Sequence, residues 1–117
     1  GYVRDFSNNE KITSLTIEHY EGMTEKKLFE ISEEAHKRWP LLGTLIIHRF
    51  GNLDIGDQIV LAASASLHRK AAFESTAFMM DYLKTSAPFW KSENLNNKKI
   101  WVDSKLDDEL AAKKWSE

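Results

Sequence analysis

Residues 44–65, TLIIHRFGNLDIGDQIVLAASA, decide the fold class. Thr44 to Phe50 is apolar and rich in β-branched residues, and Gln58 to Ala65 is a second apolar run, so both are predicted strands. Between them, Gly51 to Asp57 carries two glycines and two aspartates, which is typical of a turn. Strands that follow each other directly along the chain favour an α+β protein over a doubly wound parallel sheet.

Helices are predicted on both sides of this pair of strands. Thr24 would begin the first, which ends before Pro40 because proline cannot continue a helix. Ser66 would begin the second, which ends near Ser86. Leu28, Ile31, Ala35 and Trp39 would fall on one face of the first helix, and Phe73, Ala77, Met80 and Lys84 would share a face of the second.

The remaining segments complete a predicted order of β-α-β-β-α-β-β-α. Ile12 to Tyr20 alternates between polar and apolar residues, as a half-buried strand does. Phe89 to Glu93 and Lys99 to Asp103 are predicted strands around a polar turn, and Asp107 starts a last helix that ends near Trp115. We expect one α+β domain over residues 1–117, with an antiparallel or mixed sheet and packed helices.

The composition excludes several classes of function. The net charge of -2 gives no overall attraction to nucleic acid or to an anionic membrane. No apolar run approaches the roughly 20 residues of a membrane span, and no signal-peptide pattern is present, so a cytoplasmic location is expected. The 117 residues contain no cysteine, which removes disulfides, thiolate metal sites and cysteine nucleophiles. The four histidines lack metal-ligand spacing, and no metal or cofactor is expected.

Two lysines bracket a helix end, a proline and two aromatic residues in Lys84-Thr-Ser-Ala-Pro-Phe-Trp-Lys91. A lysine that aromatic neighbours partly desolvate can act as a nucleophile, a general base or, while protonated, a general acid. The alternative is that Lys84 is an ordinary solvated residue near a helix C-terminus, where the dipole favours cations.

Basic residues also gather where a strand is predicted to run into a helix, in Ser66-Leu-His68-Arg69-Lys70. A helix N-terminus disfavours cations, so their presence there indicates a bound anion such as a phosphate. The alternative is a set of surface charges. His48 and Arg49 lie inside a predicted strand and would point to opposite faces, which favours a structural role for that pair.

Six stretches in the same order resemble the large, catalytic subunit of molybdopterin synthase, and they span nearly the whole chain. They are Gly-Tyr-Val-Arg at 1–4, Leu-Thr-Ile-Glu-His-Tyr-Glu-Gly-Met-Thr-Glu at 15–25, Ile-His-Arg-Phe-Gly-Asn-Leu at 47–53, Gly-Asp at 56–57, His-Arg at 68–69, and Met-Asp-Tyr-Leu-Lys-Thr-Ser-Ala-Pro-Phe-Trp-Lys at 80–91. The resemblance implies an α/β hammerhead-like fold, of which the family's N-terminal strand is missing here.

The resemblance also implies a sulfurtransferase of molybdenum-cofactor biosynthesis. In that family a homodimer of large subunits lies within a heterotetramer, with a small ubiquitin-like sulfur-carrier subunit at each end. The Gly-Gly tail of the carrier, as a thiocarboxylate, supplies sulfur to cyclic pyranopterin monophosphate. By this resemblance Lys84 and Lys91 are catalytic. The expected substrate-binding residues are Tyr2, Val3, Arg4, His68, Arg69, Ser92 and Glu93.

The length of the second predicted helix adds a hypothesis about the dimer. His68 and Lys84 would lie about 24 Å apart along a straight helix, at about 1.5 Å per residue. They could not hold one small pterin within one chain, so we expect His68 and Arg69 to reach the pocket from the neighbouring protomer. Two alternatives to a synthase are a dimeric module that binds a Gly-Gly tail without chemistry and a phosphate-binding enzyme unrelated to sulfur.

Overall fold

A computed structural model describes residues 1–7, 10–95, 98–102 and 106–116 of the chain. Its elements, in chain order, are β1 (Phe6–Ser7), β2 (Glu10–His19), α1 (Met23–Arg38), β3 (Gly43–His48), β4 (Gly51–Asp54), β5 (Val60–Ala65), α2 (Arg69–Thr85), β6 (Phe89–Leu95), β7 (Lys98–Val102) and α3 (Leu106–Lys113). Three helices with antiparallel strand pairing confirm the predicted α+β class. The predicted turn from Asn94 to Lys98 includes 96–97, which lie outside the described residues.

The chain divides into two compact units. The first, the sheet unit, comprises Gly1–Tyr20, Ile47–Leu61 and Phe89–Asp103. The second, the helical unit, comprises Glu21–Ile46, Ala62–Pro88 and Ser104–Glu117.

β2 is the central strand of the sheet unit. It pairs antiparallel with β6 along one edge and with β4 and β1 along the other, and β7 extends the sheet beyond β6. Because side chains alternate along a strand, Leu15 and Ile17 share one face. They form a core with Val3 and Leu53, against which Ile59 and Phe89 pack.

The helical unit has an aromatic core. α2 packs against both α1 and α3. The Phe78 side chain is fully buried, with ring centroids 5.3 Å from Trp39, 4.5 Å from Tyr82 and 5.7 Å from Trp115. The Arg38 guanidinium lies 4.7 Å above the Phe78 ring centroid, on the same cluster.

The prediction of a turn over Gly51 to Asp57 was wrong in its first half. Residues Gly51–Asp54 form β4 and pair with Ser14 to Ile17 of β2. Gly51 has a φ of 87°, which lets the chain change direction at the start of β4. The turn itself is confined to the following residues, where Gly56 has a φ of 84° and the Asp57 carboxylate accepts a hydrogen bond from the Asp54 amide at 2.9 Å. With β1, this strand makes the order β-β-α-β-β-β-α-β-β-α.

The face of α2 that Phe73 and Ala77 share is not the buried one. Phe73 is 73% exposed, and the buried residues of the helix are Ala71, Ser75, Phe78, Met79 and Leu83. The buried face includes the polar residue Ser75, whose hydroxyl donates to the Ser64 hydroxyl at 2.9 Å. Hydrophobic periodicity does not reveal a buried serine whose hydrogen bonds are satisfied.

The helix starts differ from the predicted ones by two residues. Gly22 rather than Thr24 caps α1, and its amide donates to the Glu25 carboxylate at 2.7 Å. His68 rather than Ser66 caps α2. Ser66 still contributes, because its hydroxyl accepts the His68 amide at 3.1 Å and donates to the Pro40 carbonyl at 2.7 Å.

Candidate functional site

Lys91 lies in β6, within the sheet unit. It pairs with Ile17 of β2 on one side and with Val102 of β7 on the other, and its side chain is partly buried. Directly paired residues project to the same face, so Lys91 lies on the face that carries the core residue Ile17. Glu93, two residues further, shares this face opposite Leu15 and is 8% exposed. Strand alternation therefore brings together two of the predicted site residues.

Ser92 lies between them and projects to the opposite face. Its side chain is fully buried, opposite Thr16 and Trp101. Within the part of the chain that the structure describes, its hydroxyl has no hydrogen-bond partner. The structure thus separates the Ser92 side chain from Lys91, and the role of Ser92 as a substrate contact stays a prediction.

His48, at the end of β3, lies near Lys91 although the sequence favoured only a structural role for it. Its ring stacks on Phe89, with centroids 3.7 Å apart and an interplanar angle of 16°. Its Nδ1 atom lies 2.8 Å from the Arg49 carbonyl oxygen. Because a carbonyl oxygen only accepts, Nδ1 carries the proton, and in the neutral ring Nε2 then carries the lone pair.

The surroundings of His48 favour its neutral form. Burial lowers the pKa of His48, the hydrogen bond to the Arg49 carbonyl raises it, and electrostatic interaction with Lys91 and His19 lowers it further. The net result is a pKa below the ordinary histidine value.

The substrate-binding residues predicted near the N-terminus, Tyr2, Val3 and Arg4, lie beside Asp57 and Gln58. Tyr2 forms an isolated antiparallel bridge with Gln58, and its side chain is 65% exposed. Val3 is buried in the core, and its amide and carbonyl are bonded to Asp57 and Gly56, both at 2.9 Å. Arg4 is exposed. The buried Val3 fixes the path of the chain so that its two neighbours lie at the surface.

The other predicted residues lie at the two ends of α2, in the helical unit. His68 and Arg69 are exposed at the N-terminus, and Lys84 is in the last turn. The Lys84 ammonium lies 3.6 Å from the Asp108 carboxylate of α3, and 48% of the Lys84 side chain is exposed. α2 runs unbroken from Arg69 to Thr85, which confirms the single helix on which the dimer hypothesis depends.

An aromatic cleft of about 400 Å³, which was not predicted from the sequence, lies at the end of the sheet unit. Its lining residues are Glu18, His19, Tyr20, Trp90 and Trp101. The Tyr20 and Trp90 rings meet edge to face, with centroids 4.6 Å apart. Both the cleft and the His48–Phe89 stack join residues far apart in sequence, so only the strand register could have revealed them.

Neither a metal centre nor a membrane span emerges from the described ranges. No group of three or more His, Asp or Glu side chains among those residues could hold a metal ion. No helix among them is long and apolar enough to cross a membrane.

The comparisons with known proteins agree with one another. The family model described as MoaE protein matches residues 1–86. The molybdopterin synthase catalytic subunit of Pseudomonas aeruginosa is 50% identical over 117 residues, which cover 100% of this chain and 78% of that protein.

Solved structures give the same assignment. The molybdopterin synthase structure from Staphylococcus aureus has a TM-score of 0.84 and 37% identity, and the match covers 88% of this chain and 75% of that one. A Helicobacter pylori structure, titled as a protein–protein complex of subunits 1 and 2 of molybdopterin-converting factor, has a TM-score of 0.70 and 27% identity over 90% of this chain and 68% of that one. The chain therefore belongs to the MoaE family, the catalytic subunits of molybdopterin synthase.

Proposed function

We propose that the chain converts cyclic pyranopterin monophosphate to molybdopterin, with sulfur from the C-terminal thiocarboxylate of a small sulfur-carrier subunit. The observation that carries this proposal is that Lys84 and Lys91 lie on either side of the short connection between α2 and β6. Lys84 lies in the last turn of α2 and Lys91 lies in β6, in a chain about half identical to a molybdopterin synthase catalytic subunit. The proposed location is the cytoplasm, and the 117 residues act as a large-subunit domain.

A partner must bring the sulfur to this chain. The 117 residues contain no cysteine, so they offer no thiol that could carry it. The Helicobacter pylori neighbour is titled as a complex of two subunits, which supports a carrier subunit as the partner. The carrier is the ubiquitin-like subunit with a Gly-Gly tail, and it binds at each end of a dimer of this chain.

The basic residues have two roles in this proposal. Arg4, His68 and Arg69 hold the phosphate of the substrate and orient the pterin, because charge-assisted hydrogen bonds are strong and directional. Lys84 and Lys91 stabilise the negative charge that develops as the carrier sulfur attacks, and they move protons. Tyr2, Val3, Ser92 and Glu93 complete the substrate site. Two rounds of sulfur transfer give the dithiolene of molybdopterin.

His68 and Arg69 act on the pocket of the neighbouring protomer. They and Lys84 lie at opposite ends of the unbroken helix α2, about 24 Å apart at about 1.5 Å per residue. One pterin cannot contact both ends of such a helix. A two-fold dimer allows the N-terminus of α2 in one protomer to meet the C-terminus of α2 in its partner.

Substitution of each lysine tests the catalytic assignment. Lys84→Ala and Lys91→Ala should each reduce molybdopterin formation at least about tenfold, because each removes a positive charge from the reacting centre. The assay mixes the purified chain with thiocarboxylated carrier and cyclic pyranopterin monophosphate, and measures the fluorescent oxidation product of molybdopterin.

Lys99→Ala is the matched control, because Lys99 pairs with Asn94 and lies on the sheet face opposite Lys91. Circular dichroism and gel filtration should show an unchanged fold and oligomer in all three variants. Full activity in either test variant would remove that lysine from the mechanism. Carrier binding without any product in the unsubstituted protein would instead indicate a binding module.

A further inference from the structure

The His48 side chain is the part of the sheet unit whose arrangement the proposed mechanism leaves unexplained. It is a partly buried imidazole at the end of β3, fixed on one side by the stacked Phe89 ring and at Nδ1 by the Arg49 carbonyl. A surface histidine with a purely solvating role needs neither constraint. Two independent contacts therefore fix both the orientation and the tautomer of this ring.

Strand register explains why this ring lies close to Lys91. Phe89 and Lys91 are two residues apart in β6 and project to the same face. A ring stacked on Phe89 at 3.7 Å thus lies on the sheet face that carries the Lys91 side chain. On the neighbouring strand, His19 pairs with Phe89, and its ring centroid lies 6.2 Å from that of Phe89.

We propose that His48 is a positioning residue for Lys91: its neutral ring offers the Nε2 lone pair as a hydrogen-bond acceptor that orients the Lys91 ammonium group. This inference rests on the catalytic role proposed for Lys91. Only a neutral ring can do this, since a protonated imidazole has no acceptor and would repel the ammonium group. The charged or titratable groups that act on His48 are Lys91 from β6 and His19 from β2.

The direction of the pH dependence follows from this arrangement. The pKa of His48 is lowered, chiefly by burial, so the ring stays neutral at neutral pH. As the pH falls through that pKa, the ring gains a proton at Nε2 and stops accepting. We expect kcat to fall on the acid side for this reason, with the KM for the precursor nearly unchanged.

Two substitutions separate positioning from packing. His48→Gln keeps a hydrogen-bond acceptor but cannot gain a proton at this pH range, so it should retain most of the kcat at neutral pH and lose the acid-side decline. His48→Phe keeps a ring on Phe89 but has no acceptor, so its kcat should fall about tenfold with little change in KM. A ring that only packs would give the opposite pattern, with full kcat in His48→Phe.

A measurement without turnover tests the contact itself. The pKa of His48, followed by NMR of its ring protons and assigned by comparison with His48→Gln, should rise in Lys91→Met because a nearby positive charge is removed. It should stay unchanged in Lys99→Met, the matched lysine of the opposite face. An unchanged pKa in Lys91→Met would overturn the positioning role and leave the proposed function intact. Full synthase activity in Lys91→Met would instead overturn the catalytic assignment, and the positioning role with it.

Discussion

At the scale of single residues, two fully buried serines of this chain differ in their hydrogen bonding. The Ser75 hydroxyl donates to the Ser64 hydroxyl at 2.9 Å, within a network that continues to Thr76. The Ser92 hydroxyl has no partner within the described part of the chain. Burial of an unpaired hydroxyl costs free energy, whereas removal of one that is paired leaves its partner unsatisfied.

The two serines should therefore respond differently to alanine. Ser75→Ala should lower the free energy of unfolding by about 1–2 kcal/mol, whereas Ser92→Ala should leave it unchanged or raise it by up to about 1 kcal/mol. Urea denaturation followed by circular dichroism measures both. An equal loss in the two variants would mean that the Ser92 hydroxyl has a partner in solution. A raised KM for the precursor in Ser92→Ala, without loss of stability, would support its role in substrate binding.

At the scale of elements, local sequence predicted where most strands and helices lie, but not how the strands pair. The alternation in Ile12 to Tyr20 and the proline at 40 indicated β2 and the end of α1, because pleat and ring geometry act within a few residues. β4 escaped prediction because its glycine and aspartate composition is that of a turn, and its pairing with β2 depends on residues far away in sequence. Strand propensity depends strongly on such context.

Trp115 attaches the C-terminal segment to the other helices. Its indole Nε1 donates to the Asp81 carboxylate of α2 at 2.7 Å, and its carbonyl accepts from the Arg38 guanidinium of α1 at 2.6 Å. Trp115→Phe keeps an aromatic ring near Phe78 but removes the donor to a charged acceptor. The free energy of unfolding should fall by about 1.5–3 kcal/mol.

Trp101→Phe is the comparison for this substitution, because Trp101 is 54% exposed. Changes at exposed positions are usually within about 0.5 kcal/mol. Urea denaturation of the two variants beside the unsubstituted chain gives the difference. Equal small effects would show that the Asp81 contact contributes little to stability, and that ring packing alone holds the segment.

At the scale of the whole molecule, the residues proposed for the site differ in how far the sequence revealed them. Lys84 and Lys91 were evident because an unusual run of residues surrounds them. His48 was not, because its stack on Phe89 joins positions 41 residues apart. The net charge did not indicate a basic site either, since a chain of charge -2 can still have cationic side chains clustered locally. Hydrophobic periodicity and motif spacing reveal only relations between residues that are close along the chain. A site also depends on which residues the strand register and the subunit assembly bring together.

Assembly can be tested by mixing two inactive variants. Lys84→Ala and Arg69→Ala alter opposite ends of α2, and each should be nearly inactive as a homodimer. In a two-fold dimer whose pockets take Lys84 from one protomer and Arg69 from its partner, a mixed dimer has one pocket with both substitutions and one pocket with neither. Random mixing makes about half of the dimers mixed, so about a quarter of all pockets should be intact.

Activity near that fraction should therefore return when the two variants are dissociated, mixed and reassembled. The single variants treated in the same way should not recover, and they serve as the control for the procedure. If each pocket took both residues from one chain, every pocket of a mixed dimer would carry one substitution, and mixing would restore nothing. That result would refute the shared pocket, although Arg69 and Lys84 lie at opposite ends of the unbroken α2.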